Sequence, residues 1–177
     1  MPNDCNSKKH IILTGFMGSG KTTLGLLLAQ KYGRSFFDLD SELEAVLNCS
    51  IQEYFKLEGE RMFRKVETQQ LKKILTFPPA VIALGGGTPC YHENMELIKK
   101  HSKSIYLKLS SAKLFDRLVH CREKRPLISD CDEASLMKFI HDSLGKRKRY
   151  YEMADLVFSN EETLSEATLE RLHALLH

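Results

Sequence analysis

The sequence predicts an α/β fold in which a five-stranded parallel sheet is covered by helices on both faces. Three observations carry that expectation. Five short apolar runs alternate with helical segments, and strands separated by helices pair in parallel. The first run, HIILT at residues 10–14, enters GFMGSGKT at 15–22, a G-x-x-x-x-G-K-[ST] loop that opens a helical stretch. A later run, AVIAL at 80–84, ends in three successive glycines, so a second buried strand also finishes in bare backbone.

The chain has 177 residues, 42% hydrophobic and 28% charged, which suits one globular domain spanning 1–177. Its 26 basic and 23 acidic residues leave a net charge of +3, too little to argue for nucleic-acid or membrane attraction. The five cysteines (Cys5, Cys49, Cys90, Cys121 and Cys131) are odd in number and lack C-x-x-C spacing. That argues against a disulfide framework and a structural zinc site, and it points to free thiols in a cytoplasmic protein. Residues 1–9 read as a short flexible polar tail, and no run approaches membrane-spanning length.

Taken in order, strand 10–14 and the glycine loop lead to a helix with Leu24, Leu27 and Leu28 on one face, closed by Gly33. Loop and helix N-terminus together form a cradle for phosphate. The glycines expose N–H groups, Lys21 supplies charge and Thr22 offers a hydroxyl to Mg2+. Residues 35–40 read as a strand ending in Asp38 and Asp40, which strand periodicity puts on one side. The pair suits a metal or substrate role, while Ser41 with Glu44 would cap the next helix. Ser50 and Glu53 form another capping box, opening a short helix that stops near Gly59.

A longer helix, about 60–75, carries Glu60, Arg64 and Glu67 as one polar stripe, and spacing alone favours a solvated face. The glycines 85–87 follow the strand at 80–84 and favour close approach to a ligand over a plain turn. A helix at about 92–100 leads to strand 104–109, and helix 112–121 follows with Leu114, Phe115 and Leu118 inward. The charged stretch REKRPLISD, 122–130, is open between a lid and a surface loop. Helix 133–151 ends in the basic run KRKR at 146–149, which suits a helix C-terminus. Strand 155–158 precedes a last helix, capped by Thr163 and Glu166, with Leu169, Leu172 and Leu176 as its core stripe.

These pieces, in this order, resemble the shikimate kinase family, small P-loop kinases of the nucleoside-monophosphate-kinase type. The resemblance spans about 11–158 and rests on GFMGSGKTTLG (15–25), FFDLDSELE (36–44), GERMFRKVE (59–67), GGG (85–87), RPLI (125–128) and YYEMAD (150–155). It implies a three-layer α/β/α P-loop kinase fold with a substrate-binding helical segment at about 41–75 and a mobile lid at about 119–132. It also implies transfer of a phosphoryl group from ATP to the 3-hydroxyl of shikimate, with Mg2+, in a monomer without nucleic-acid or membrane partners.

By resemblance, Gly18, Ser19, Gly20, Lys21, Thr22 and Thr23 hold the ATP phosphates. Thr22 binds Mg2+ directly and Asp38 through water, and Arg117 packs near adenine. Asp40 orients or deprotonates the acceptor hydroxyl, Lys21 and Arg125 neutralise charge, and Arg64, Gly86 and Arg147 contact the acceptor, with Glu67 bracing Arg64. Arg147 is chosen over Lys146 for its planar fork, at the cost of a one-residue shortening before Ala154. Another small-molecule P-loop kinase, of the gluconate type (whose acceptor also carries a carboxylate and hydroxyls) or the nucleotide type, is the alternative within kinases. A non-catalytic nucleotide-binding regulator is the alternative outside them.

Overall fold

Strand β1 (His10–Thr14) is buried along its whole length and lies at the centre of a five-stranded sheet. The computed structural model describes residues 9–120, 127–159 and 165–176. The strand order is β2 (Phe36–Asp38), β3 (Val81–Ala83), β1, β4 (Ser102–Lys108), β5 (Leu156–Ser159). Every neighbouring pair is parallel, with Ile12 beside Ile82 on one side and beside Ser104 on the other.

Side chains alternate across a strand, so such a sheet needs cover on both faces. Ile11 and Leu13 pack with Val81, Ile105 and Phe158 under helices α1 (Lys21–Tyr32) and α7 (Glu166–Leu176). Ile12 and Ile82 face the opposite way, onto α2 (Leu39–Leu47), α3 (Ile51–Ile74) and α4 (Asn94–His101). A third cluster joins α5 (Ser111–Val119) and α6 (Glu133–Tyr151) to Phe16, in the loop after β1. Each buried aliphatic side chain contributes about 1.5–3 kcal/mol, so this three-layer burial is what holds the loops in place. Among the described residues no helix is long and apolar enough to cross a membrane.

Several boundaries depart from the sequence expectation. Strand β2 stops at Asp38, opposite Ala83 where the three-residue β3 also ends. Asp40 therefore sits on the first turn of α2 and not on a strand beside Asp38. The helix cap is Asp38, whose Oδ1 accepts from Asp40 N at 3.2 Å. Ser41 caps nothing, and Glu44 instead accepts from Ile51 N at 3.0 Å. Helix α4 starts at Asn94 because His92 and Glu93 adopt positive φ. Strand β4 begins two residues early, since Ser102 pairs with His10.

The Ser50–Glu53 capping box forms as expected. Gly59, at φ 77° and ψ 167°, breaks α3 into the two helices foreseen. Leu172 and Leu176 enter the core with Leu169 against it, while Thr163 lies outside the described residues.

His10 ties β1 to the approach of β3. Its Nδ1 accepts from Ala80 N at 3.1 Å, so the proton sits on Nε2, 3.3 Å from Leu75 O. Burial lowers its pKa against the pull of the Leu75 carbonyl, and Arg34 and His101 lower it further. The unfolded chain, with a histidine pKa of about 6.5, then binds the proton more readily than the fold does. Stability from this group is present above that pH and is lost as pH falls below it. Denaturant melts should show a lower midpoint at pH 5.5 than at pH 7.5, and His10→Gln should flatten that difference; an unchanged pH slope in the variant would remove His10 as its source.

Candidate active site

The loop between β1 and α1 is shaped by close backbone contacts. At Gly15 φ is +146°, and a Cβ there would fall 2.8 Å from Leu107 O. Lys21 Nζ donates to Gly15 O and Phe16 O, at 3.0 Å each, which lays the ammonium across the loop. Ser19 Oγ is buried inside the loop without a protein partner. Arg117 Nη1 reaches across from α5 to donate to Gly18 O at 3.2 Å. Glycine backbone, cation and helix N-terminus here form a phosphate-type anion site.

Thr22 Oγ1 donates to Asp38 Oδ2 at 2.8 Å, while the other oxygen of Asp38 caps α2. Two hard oxygen donors beside a phosphate cradle suit Mg2+, which keeps waters and phosphate oxygens for the rest of its shell. Among the described residues no cluster of three or more His, Cys, Asp or Glu side chains forms a more enclosed metal site.

The triple glycine after β3 meets a different set of side chains. A Cβ on Gly85 would lie 2.6 Å from Asp40 Oδ1, and one on Gly87 2.7 Å from Arg64 Nη2. A Cβ on Gly86 would lie 3.2 Å from Arg147 Nη1 and 3.7 Å from Gly15 O. The side chains of Asp40, Arg64 and Arg147 therefore converge on one backbone segment, next to the glycine loop after β1. Asp40 is exposed on its cleft side, while its carboxyl packs closely against Gly85. Desolvation of the carboxyl, followed by the charge of Asp38, raises its pKa to about 6 against the pull of Lys21. A carboxylate so shifted is a better proton acceptor than a free one.

Arg64 is held by two carboxylates. Nη1 donates to Glu67 Oε2 at 2.9 Å, and Nε and Nη2 to Glu60 Oε1 at 3.3 and 3.1 Å. An exposed helical pair contributes about 0.3–0.5 kcal/mol, whereas breaking a buried pair costs about 3–5 kcal/mol. With side chains 11% and 1% exposed, Arg64 and Glu67 belong to the buried kind. The solvated face favoured by spacing is thus corrected, because the tertiary fold turns this stripe into the cleft. Glu67 Oε1 accepts from the buried Thr88 Oγ1 at 2.6 Å. Arg147 stands over the Phe16 ring at 5.7 Å. Its neighbour Tyr151 donates to Gly86 O, and burial pushes that phenol well above its usual pKa against the pull of Arg147.

One continuous cleft of about 1330 Å³ runs from Arg117 and His120 past Lys21 and Asp40 to Arg64 and Arg147. Single-ligand pockets hold about 300–1,000 Å³, so two substrates fit. Gly18, Gly20, Lys21, Thr22, Thr23 and Arg117 line one end, with Ser19 inside the loop; Asp40, Arg64, Gly86 and Arg147 line the other. Lys146 instead borders a shallow surface depression with His141 and Asp142. Arg125 lies outside the described residues, as do 121–126 of the expected lid, while Leu127 lines the cleft.

Sequence reasoning missed Thr88, Tyr91 and Tyr151 as parts of the site. The first two follow the triple glycine within four residues, which was the available signal. Tyr151 enters the sequence reading only as part of YYEMAD (150–155).

A family model described as shikimate kinase matches residues 17–176. The shikimate kinase of Parabacteroides distasonis is 37% identical over 159 residues, covering 90% of this chain and 92% of its own. The crystal structure of shikimate kinase from Bacteroides thetaiotaomicron has a TM-score of 0.91 at 35% identity, covering 95% of this chain and 98% of that one. That of Acinetobacter baumannii, in complex with shikimate, has a TM-score of 0.82 at 31% identity, covering 97% and 92%. A gluconokinase from Sinorhizobium meliloti, at 16% identity and a TM-score of 0.59, shares the fold alone.

Gly85→Ala offers a direct test of the crowding around Asp40. The added methyl meets side-chain oxygens that can move, so the fold should survive while Asp40 is displaced. A shift of about 1 Å at a reacting group costs about 10²-fold in rate, which is the loss in turnover expected with a nearly unchanged melting temperature. Full turnover in the variant would show that Asp40 is not so confined.

Proposed function

The chain belongs to the shikimate kinase family, and from that we propose that it transfers the terminal phosphoryl group of ATP to the 3-hydroxyl of shikimate, with the following division of labour. The observation that carries this is the convergence of Asp40, Arg64 and Arg147 on Gly85–Gly87 in one cleft with the phosphate loop. Shikimate has a carboxylate and three hydroxyls, so its site needs cations at one end and a proton acceptor at the other. Arg64 and Arg147 take the carboxylate, Gly86 supplies backbone contact, and Asp40 accepts or directs the 3-hydroxyl. Glu67 keeps Arg64 in place.

At the other end, Gly18 to Thr23 and Lys21 hold the phosphates and Arg117 borders the adenine. Thr22 and Asp38, the latter through water, hold Mg2+, which when bound neutralises charge on the phosphate oxygens. Lys21 and Arg125 neutralise further charge on the group in transit, and the segment around 119–132 acts as lid. Phosphoryl transfer depends mainly on in-line placement and charge stabilisation, and loss of one such cation costs about 10²–10³ in rate.

The enzyme is read as one domain that works as a cytoplasmic monomer on two small molecules. In support, one chain lines both ends of the cleft, and Cys49 and Cys90 are free thiols.

A coupled ADP-release assay over shikimate, quinate, gluconate and nucleoside monophosphates should give turnover with shikimate; turnover with gluconate alone would replace this acceptor. Asp40→Asn should lower kcat by about 10²-fold or more with little change in the KM for ATP, as removal of a general base does. Arg64→Ala should raise the KM for shikimate far more than that for ATP, and a change confined to ATP would reverse the assignment of the two ends.

A further inference from the structure

The four residues after the triple glycine brace Arg64 twice. Thr88 Oγ1 donates to Glu67 and Tyr91 Oη donates to Glu60 Oε1 at 2.9 Å, so each carboxylate on Arg64 is itself held by a hydroxyl. Both hydroxyls come from the same short stretch. Tyr91 makes a second contact, its ring 4.3 Å from Arg64 Cζ, nearer than Phe63 at 5.2 Å or Phe55 at 5.8 Å.

The two carboxylates differ in how much help they need. Glu67 is 1% exposed and enclosed, whereas the Glu60 side chain is 54% exposed. An ion pair that open fixes little by itself, because water competes for both partners. The Tyr91 hydroxyl gives Glu60 a second anchor, and the aromatic face sets the plane of the guanidinium. Burial, then the bond to Glu60, raises the Tyr91 pKa, which keeps the phenol protonated as a donor.

A guanidinium has five N–H groups. Glu60 and Glu67 engage Nε–H and one N–H on each terminal nitrogen. Neither carboxylate takes the second N–H on Nη1 or on Nη2, and donors of this kind are what a carboxylate binds at two points. Both terminal nitrogens face the place where Gly87 lacks a side chain. Rotation of the guanidinium plane would spoil that two-point match while leaving the charge intact.

We propose that Tyr91 is a positioning residue for the acceptor: by stacking on Arg64 and anchoring Glu60, it aims the guanidinium at the acceptor's carboxylate. This rests on Arg64 being the ligand of that carboxylate. Tyr91 sits in an extended turn, 37% exposed, with its carbonyl accepting from Asn94 N at 2.9 Å, a bond that any side chain preserves. Its variants should therefore fold.

The test is steady-state kinetics of Tyr91→Phe and Tyr91→Ala, alone and with Arg64→Ala, using shikimate and ATP as the varied substrates. Loss of stacking and hydroxyl together should raise the shikimate KM about tenfold, and Tyr91→Phe, which keeps the ring, about threefold. The ATP KM and melting temperature should stay as in the parent. In the Arg64→Ala background Tyr91→Ala should add nothing, since it acts through that arginine. Equal rises in both KM values, or a full further loss without Arg64, overturn the role given to Tyr91. An unchanged shikimate KM in Tyr91→Ala, with a raised one in Arg64→Ala, overturns Tyr91 alone. An unchanged KM in Arg64→Ala itself overturns the assignment of Arg64 and takes this role with it.

Discussion

Between the phosphate loop and the two cleft arginines there is room for backbone but not for side chains. Strand β3 lies beside β1, joined at its exit by Leu84 N donating to Leu13 O at 3.0 Å. The two strands therefore end together, one in the loop that starts at Gly15 and the other in Gly85–Gly87. The absent β-carbons of those three glycines fall 2.6–3.2 Å from Asp40, Arg147 and Arg64. Tight approach of this kind is what lets a cation, a carboxylate and a phosphate cradle share one small volume.

Charge in that volume is arranged by direction more than by sum. Two guanidinium groups stand among the carboxylates of Asp40, Glu60 and Glu67, so this end of the cleft carries no surplus of positive charge on this count. Glu67 is turned inward, with its oxygens taken by Arg64 and Thr88, and this leaves the outer edge of Arg64 to face the cleft. Asp40 meets the Gly85 end of the glycines, within reach of the Lys21 charge, whereas Arg64 meets the Gly87 end. A ligand with an anionic end and a hydroxyl end meets complementary groups in only one orientation. Buried ion pairs add little net stability, so fixing that orientation is the better account of why one stands here.

Much of this was legible in the chain. The strand–loop–helix at 10–32 carries its own backbone signals, and the parallel sheet follows from strict alternation of strand and helix. Asp40 was placed on the correct edge for an incorrect reason. Strand periodicity was extended two residues too far, because nothing local shows that β3 is short and ends the pairing at Asp38. The enclosure of Arg64 and Glu67 within the Glu60–Arg64–Glu67 stripe was not legible by spacing, since a charged helical face looks the same whether it meets water or a cleft. Only the resemblance to a family raised it. Tyr91 was invisible for a related reason: its contacts with Glu60 and Arg64 cross about 30 residues of chain, and only the packed fold brings them together.

The interruption at Gly59 has a consequence for how such a site tolerates change. In an unbroken helix each inserted residue turns everything beyond it by about 100°. Arg64 would then owe its heading to the number of residues between Ser50 and itself. A left-handed glycine with open space around its missing side chain resets the helical phase one residue before Glu60. The segment ahead of it can lengthen or shorten to fit another contour, and the three charged residues that follow keep their bearing.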